Sequence, residues 1–230
     1  MKRIGIVPSA DWMKTGSIYD DKYHFTNSYI QRMVRAGTLP VGVLPLDGRI
    51  GTPILDECDA FLIQGGSGIY GYHIDVMDHA VKNGKKVLGI CLGMQTVHTY
   101  FAVCQEAREA GFTGSVTDFY LKRKSEIGTY LKPVADHRAP SMPRNDVDST
   151  KHKVLLTPGS HIARLLGATE IMGASVHSFC VPSPAEGETV TGYAEDGTIE
   201  AVEAGENIIG TQFHPDVDDK LFELFAWLAE

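Results

Sequence analysis

Several things are scarce in this 230-residue sequence, and each scarcity narrows the problem. No apolar stretch approaches the ~18 residues that a membrane span needs, so the chain reads as soluble. The four cysteines, Cys58, Cys91, Cys104 and Cys180, form no C-x-x-C pair, which argues against a zinc ribbon or a dithiol redox centre. Scattered through a chain large enough to fold without staples, they fit a reducing cytoplasm. Positive charge is short as well. There are 21 Lys and Arg against 29 Asp and Glu, a net charge of −8, and without a clustered basic surface nucleic acid is not an expected partner. The one basic run, Lys122-Arg123-Lys124, reads as a solvated surface. Met1-Lys2-Arg3 has signal-peptide charge, but Pro8 and Asp11 cut the apolar run too short for one.

What is present is ordinary for a globular protein: 43% apolar and 22% charged residues, and a length that one α/β domain spanning 1–230 can fill. Short β-branched runs alternate with helical patterns through the first half, the order of a parallel sheet with covering helices. The runs are Ile4 to Val7, Val41 to Leu44, Ala60 to Ile63 and Val87 to Ile90, with a helix predicted over Phe25 to Ala36 and stopped by Gly37. From Gly111 to Lys153 periodicity is lost among Gly114, Gly128, Pro133, Pro140 and Pro143. Such a long excursion is a candidate substrate-facing segment. The second half reads as short strands: Val154 to Leu156, Glu170 to Val176, Thr189 to Ala194, Thr198 to Glu203 and Ile208 to Phe213. Glu195-Asp196-Gly197 signals a hairpin, and a helix over Asp219 to Leu228 closes the chain.

Two strands run straight into glycine-containing turns, Gln64-Gly65-Gly66-Ser67-Gly68 and Cys91-Leu92-Gly93, at the sheet edge where ligands bind in open α/β folds. Gly89-Ile90-Cys91-Leu92-Gly93 has the G-x-C-x-G form of a nucleophile elbow. Small residues on both sides permit a sharp turn that pushes the cysteine out of the sheet, and the following helix N-terminus favours a thiolate. The Leu92 N–H and an N–H from the Gly65-Gly66 turn are candidate oxyanion donors. Gln212-Phe213-His214-Pro215-Asp216 puts an imidazole and a carboxylate two residues apart, suited to a base and its orienter. Cys58, Cys104 and Cys180 read as small buried apolar residues. His73, Asp75, Asp78 and His79 have metal-like spacing on a probable helix, but read as a solvated helix surface, and no metal or cofactor is expected.

G-I-C-L-G-M-Q followed by Q-F-H-P-D resembles the class I glutamine amidotransferase superfamily, with its G-x-C-x-G-x-Q and downstream H-P-E motifs. Within it the chain most resembles the γ-glutamyl-γ-aminobutyrate hydrolase group, a peptidase C26-like branch. The likeness runs through Tyr29-Ile30, Ala36-Gly37 to Pro45, His152-Lys153-Val154, Pro158-Gly159-Ser160, Leu165-Leu166-Gly167 and Asp196 to Glu203. It implies a flavodoxin-like three-layer sandwich with a central, mostly parallel sheet. It also implies Cys91 as nucleophile, His214 as base, Asp216 as third member, and Gly66 and Leu92 at the oxyanion hole. Gly65, Gln95, Ser175 and His177 would contact the substrate, the last two matching part of an N-S-x-H-H-Q stretch from which Ala174, Ser178 and Phe179 depart. Asp216 stands where the superfamily has Glu. The implied reaction is hydrolysis of a small γ-glutamyl amide through a γ-glutamyl thioester, by a chain that could form homo-oligomers. The alternatives are a glutaminase delivering ammonia to a separate synthase subunit and an inactive sensor of glutamine-like ligands.

Overall fold

The computed structural model describes residues 1–11, 22–123, 130–137, 139, 142–143 and 145–230; Lys124, Gly128 and Pro140 lie outside them. Along the chain come β1 (Arg3–Val7), an antiparallel pair of β2 (Ser9–Asp11) and β3 (Lys22–His24), α1 (Asn27–Arg35), β4 (Leu39–Gly42) and α2 (Thr52–Asp56). Then follow β5 (Ala60–Ile63), α3 (Gly71–Lys82), β6 (Lys86–Ile90), α4 (Leu92–Glu109), α5 (Val116–Arg123), β7 (Lys132–Pro133) and β8 (Lys151–Leu156). The chain ends with α6 (His161–Leu166), β9 (Glu170–Ala174), β10 (Phe179–Cys180), β11 (Thr189–Ala194), β12 (Ile199–Ala204), β13 (Ile208–Thr211) and α7 (Glu223–Ala229).

Among the described residues nine strands make one sheet in the order β4-β1-β5-β6-β13-β12-β11-β8-β9. The first five are parallel, and the last four extend them antiparallel. Side chains on successive strand residues point to opposite faces, and the core divides accordingly. Phe61 and Ile63 of β5 join Tyr72 and Met77 of α3, Val97 of α4 and Tyr120 of α5 on one face. Ala60 and Leu62 join Met33 of α1, Ile162 of α6 and Leu224 and Phe225 of α7 on the other. Each fully buried Leu, Ile or Phe contributes about 1.5–3 kcal/mol, which fixes this three-layer arrangement.

Element boundaries moved where local chemistry overrode periodicity. β4 starts at Leu39, two residues before the Val41 start expected, because Leu39 pairs with Arg3 and its N–H meets the Lys2 carbonyl at 2.8 Å. Pro40 is tolerated since β4 is an edge strand. The excursion from Gly111 is not wholly irregular, because α5 packs on α3 and α4 within it. The chain end is a short 3₁₀ turn over Asp219–Leu221 followed by α7. Within the basic run, Lys122 and Arg123 are not simply solvated: Lys122 Nζ sits 4.6 Å above the Phe112 ring, and Arg123 lies 3.3 Å from Glu106. The metal-spaced helix also differs from expectation. His73 and His79 are buried, and Asp75 bridges Arg49 at 2.8 and 2.9 Å while accepting from Thr117 at 2.7 Å. They are packing and pairing contacts, Asp75 with α5 and His79 with Phe61 of β5, rather than a solvated surface.

Candidate active site

From β1 the chain runs one way to β4 and then back past β1 to β5, which puts the topological switch between β1 and β5. The segments that leave the carboxyl ends of β1, β5, β6 and β13 meet at one edge and supply Tyr29, Gly65, Cys91 and His214 to a single cavity of about 680 Å³.

Cys91 sits between β6 and α4 at φ 55° and ψ −106°, a conformation that a non-glycine residue adopts only when its surroundings force it. The forcing is steric. A Cβ on Gly93 would lie 2.0 Å from the Ile63 carbonyl oxygen, and one on Gly89 would lie 2.5 Å from the Gly93 oxygen. Only glycine lets helix and strand approach that closely. Leu92 is the first residue of α4, so its N–H has no carbonyl inside the helix.

His214 follows β13, its Nδ1 3.2 Å from the Asp216 Oδ1. The other Asp216 oxygen accepts from the Ser28 hydroxyl at 2.6 Å, and its backbone carbonyl accepts from Arg32 Nε at 2.9 Å. Burial pushes the His214 imidazole down, but Asp216 and the Cys91 thiol outweigh it and hold the imidazolium up to about 10. Burial pushes the Asp216 carboxyl up, while His214 and Ser28 pull it below the ordinary range. His214 Nε2, the nitrogen that does not meet Asp216, is buried without a conventional hydrogen-bond partner, and Cys91 is close enough to help raise the imidazole.

Gly65 joins these parts. Its N–H donates to the Tyr29 hydroxyl at 3.2 Å, and that oxygen lies 3.3 Å from His214 Nδ1. A Cβ here would come within 3.1 Å of both His214 Cε1 and the Tyr29 oxygen. Burial, with Asp216 and Cys91 nearby, raises Tyr29 well above its usual range, so it stays a neutral phenol. Gly66 packs against Ser9 and Leu92 in the same turn. Sequence reasoning missed Ser28, Tyr29 and Arg32. The available signal was that α1 begins at the switch edge, where its first turn must face the ligand side.

A second, smaller cavity of about 240 Å³ lies on the other side of Cys91, between Gly66, Leu92, Gln95 and the stretch from Val176 to Phe179. Gln95 Nε2 donates to the Phe179 carbonyl at 2.9 Å and to Gln212 Oε1 at 3.1 Å, which ties α4 to this wall. The side chains of Ser175 and His177 do not point at the cavity. β9 ends at Ala174, and the Ser175 hydroxyl donates to the His137 carbonyl at 2.6 Å. His177 is turned toward Glu200, with its Nε2 3.3 Å from Oε1. Of the two expected substrate contacts, His177 lines this cavity with its ring turned to Glu200, and Ser175 is not among the residues that line it.

Among the described residues, His137, His177 and Glu200 form the one group of three whose donor atoms could surround a metal ion, all within 4.8 Å of one another. Burial pushes the Glu200 carboxyl up, but His137, His152 and His177 pull it well below the usual range. Glu200 and Asp196 in turn hold the His137 imidazolium up to about 9.

The class-I glutamine amidotransferase family model matches residues 18–225. A Schizosaccharomyces pombe protein described as a glutamine amidotransferase is 26% identical over 86% of this chain and 79% of its own length. A Cereibacter sphaeroides CTP synthase is 30% identical over 74% of this chain but only 35% of itself, so the chain spans about a third of the CTP synthases it matches. In fold, the glutaminase domain of Trypanosoma brucei CTP synthase, solved with acivicin bound, superposes with a TM-score of 0.67 over 100% of this chain and 94% of that one, at 16% identity. No helix among the described residues is long and apolar enough to cross a membrane.

Proposed function

Because the chain belongs to the class-I glutamine amidotransferase family, we propose that it is a cysteine-dependent amidohydrolase that cleaves a γ-glutamyl amide and passes the acyl group to water. The observation that carries this reading is Cys91, held at φ 55° at the head of α4, facing an imidazole whose far nitrogen is fixed by Asp216.

The Cys91 thiol proton passes to His214, and the thiolate sulfur attacks the amide carbonyl carbon, forming the C–S bond while the carbonyl oxygen takes the negative charge. The N–H groups of Leu92 and Gly66 are its donors, each worth about 3 kcal/mol in comparable hydrolases. Collapse of the adduct breaks the C–N bond, and His214 protonates the departing amine. His214 then accepts a proton from water, the resulting hydroxide attacks the γ-glutamyl thioester, glutamate leaves, and the thiolate is restored. The smaller cavity, closed by Gln95 and the backbone from Val176 to Phe179, takes the glutamyl head. The larger one, lined by Met142 and Val147 from the excursion, takes the amine, for which γ-aminobutyrate is our candidate.

The purified chain should then release glutamate from γ-glutamyl-γ-aminobutyrate with a higher kcat/KM than from glutamine, and Cys91→Ser should remove both activities. The CTP synthase relatives favour a second reading, in which ammonia passes to a separate synthase. Equal or better activity on glutamine, rising sharply when a synthase protein is added, would replace the first reading with the second.

A further inference from the structure

Three segments distant in sequence converge on one buried carboxylate. Glu200 on β12 is fully buried, and its Oε1 lies 3.3 Å from His137 Nδ1, 3.3 Å from His177 Nε2 and 3.5 Å from His152 Nε2. The electrostatic pull among these groups is strong, yet none of the three contacts has hydrogen-bond geometry. All three nitrogens and both Glu200 oxygens are buried without a conventional partner. A buried carboxylate in that condition is costly unless a cation satisfies it.

The outer nitrogens explain the inner ones. His137 Nε2 lies 2.9 Å from Asp196 Oδ2 and His177 Nδ1 lies 3.1 Å from the Phe179 carbonyl, so both rings place a proton on the outer side. With a cation in place of the inner proton, each ring would keep its outer proton and turn a lone pair inward. Imidazoles oriented from behind by a carboxylate or a carbonyl are the usual setting of metal-binding histidines. The three distances to Glu200 Oε1, 3.3, 3.3 and 3.5 Å, are close to the edges of about 3.3–3.4 Å of a tetrahedral centre with bonds of ~2.0–2.1 Å.

We propose that His137, His177 and Glu200 bind one divalent zinc-class cation in a structural site, with His152, whose Nε2 lies 3.5 Å from Glu200 Oε1, drawn in as the fourth donor. One carboxylate and neutral imidazoles make a nitrogen-rich donor set suited to zinc rather than to magnesium or calcium. The cation ties β8, β12 and the segment around His137 to the start of the Val176 to Phe179 wall. It is separate from Cys91 and takes no part in the chemistry there.

The test uses the Cys91→Ala chain, which removes the competing thiolate–imidazole site, stripped with a chelator and titrated with Zn²⁺ and with Co²⁺. The expected result is one cation per chain, a higher unfolding temperature with Zn²⁺, and Co²⁺ absorption of a four-coordinate nitrogen and oxygen site without a thiolate charge-transfer band. Glu200→Gln should weaken Zn²⁺ affinity at least ~100-fold. Asp196→Asn, an exposed change that only releases His137 from behind, should weaken it ~10-fold in a folded chain. Absence of stoichiometric binding, a thiolate band, or affinity unchanged in both Glu200→Gln and Asp196→Asn would overturn the proposal.

Discussion

Two of the buried carboxylate–imidazole groups among the described residues are built to opposite ends. Around Asp216 every oxygen has an assigned partner: His214 on one, Ser28 on the other and Arg32 on the backbone carbonyl. The single nitrogen left over is His214 Nε2, and Cys91 acts on the same ring. Around Glu200 the inner atoms face one another without hydrogen-bond geometry and the outer nitrogens are the satisfied ones. A carboxylate that is fully committed orients a proton carrier. One surrounded by inward-facing imidazole nitrogens is a receptacle for charge. In the roles proposed here the same residue types serve proton transfer in one place and coordination in the other, and the second partner of each atom decides which.

The comparison breaks most visibly if His214 is not the proton carrier. His214→Asn should lower kcat for glutamate release by roughly 10⁴-fold with the fold intact by circular dichroism, because both acylation and amine departure need the imidazole. Asp216→Asn keeps the shape and loses only the orienting charge, so its expected loss is smaller, roughly 10²–10³-fold. A similar loss in Glu200→Gln, in kcat rather than in KM, would mean that the two groups are not separable.

The imidazolium at His214 sharpens the contrast through pH. Its pKa stands at about 10 in the fold against about 6.5 in an unfolded chain, so the stability it adds is fully present below pH 6.5. That stability is lost as pH rises through about 10, and the ability to protonate the leaving amine goes with it. A kcat/KM profile should show an alkaline limb near pH 10. In Asp216→Asn burial acts with less opposition, and the limb should move down by at least a unit. A limb that does not move would assign the raised imidazolium to Cys91 alone.

Gly65 tests how tightly the first group is assembled. The methyl of Gly65→Ala would enter 3.1 Å from His214 Cε1 and 3.5 Å from Cys91 Cβ, displacing them by a few tenths of an ångström. Roughly 10-fold lower kcat with little change in unfolding temperature is expected, since alignment suffers more than packing.

How legible these groups were in the sequence follows from how local they are. Gly89, Cys91 and Gly93 act on one another across one turn, so spacing alone exposes the elbow. His214 and Asp216 are adjacent for the same reason. Ser28 and Tyr29 reach Asp216 and His214 across more than 180 residues, and nothing in their own segment marks them as polar partners. The Glu200 group draws on positions 137, 152, 177 and 200, two of them in or beside the aperiodic excursion. No single stretch carries its spacing, whereas the metal-like spacing at His73 to His79 is local and serves interior packing. Helix α5 was hidden in the same excursion, and without it the burial of α3 on that side could not be foreseen.

The smallest expected effect isolates the difference between orienting and coordinating. The Ser28 hydroxyl donates to Asp216 Oδ2 at 2.6 Å and helps to hold that carboxyl below its ordinary range. Ser28→Ala leaves one buried carboxylate oxygen without its donor, at a cost of about 1–2 kcal/mol, while the bond to His214 remains. Turnover should fall only several-fold, because the imidazole is still held from its other side. A group with a depressed pKa stabilises the fold above its unfolded value, about 3.8–3.9 for Asp, and loses that contribution as pH falls. The stability gap between Ser28→Ala and the parent chain should therefore be full at neutral pH and should narrow in acid as Asp216 takes up its proton. Ser28→Thr keeps the hydroxyl and should restore both turnover and stability. A gap that stays constant down to pH 2 in chemical denaturation would mean that Ser28 contributes packing alone and that Asp216 owes its ionisation to His214.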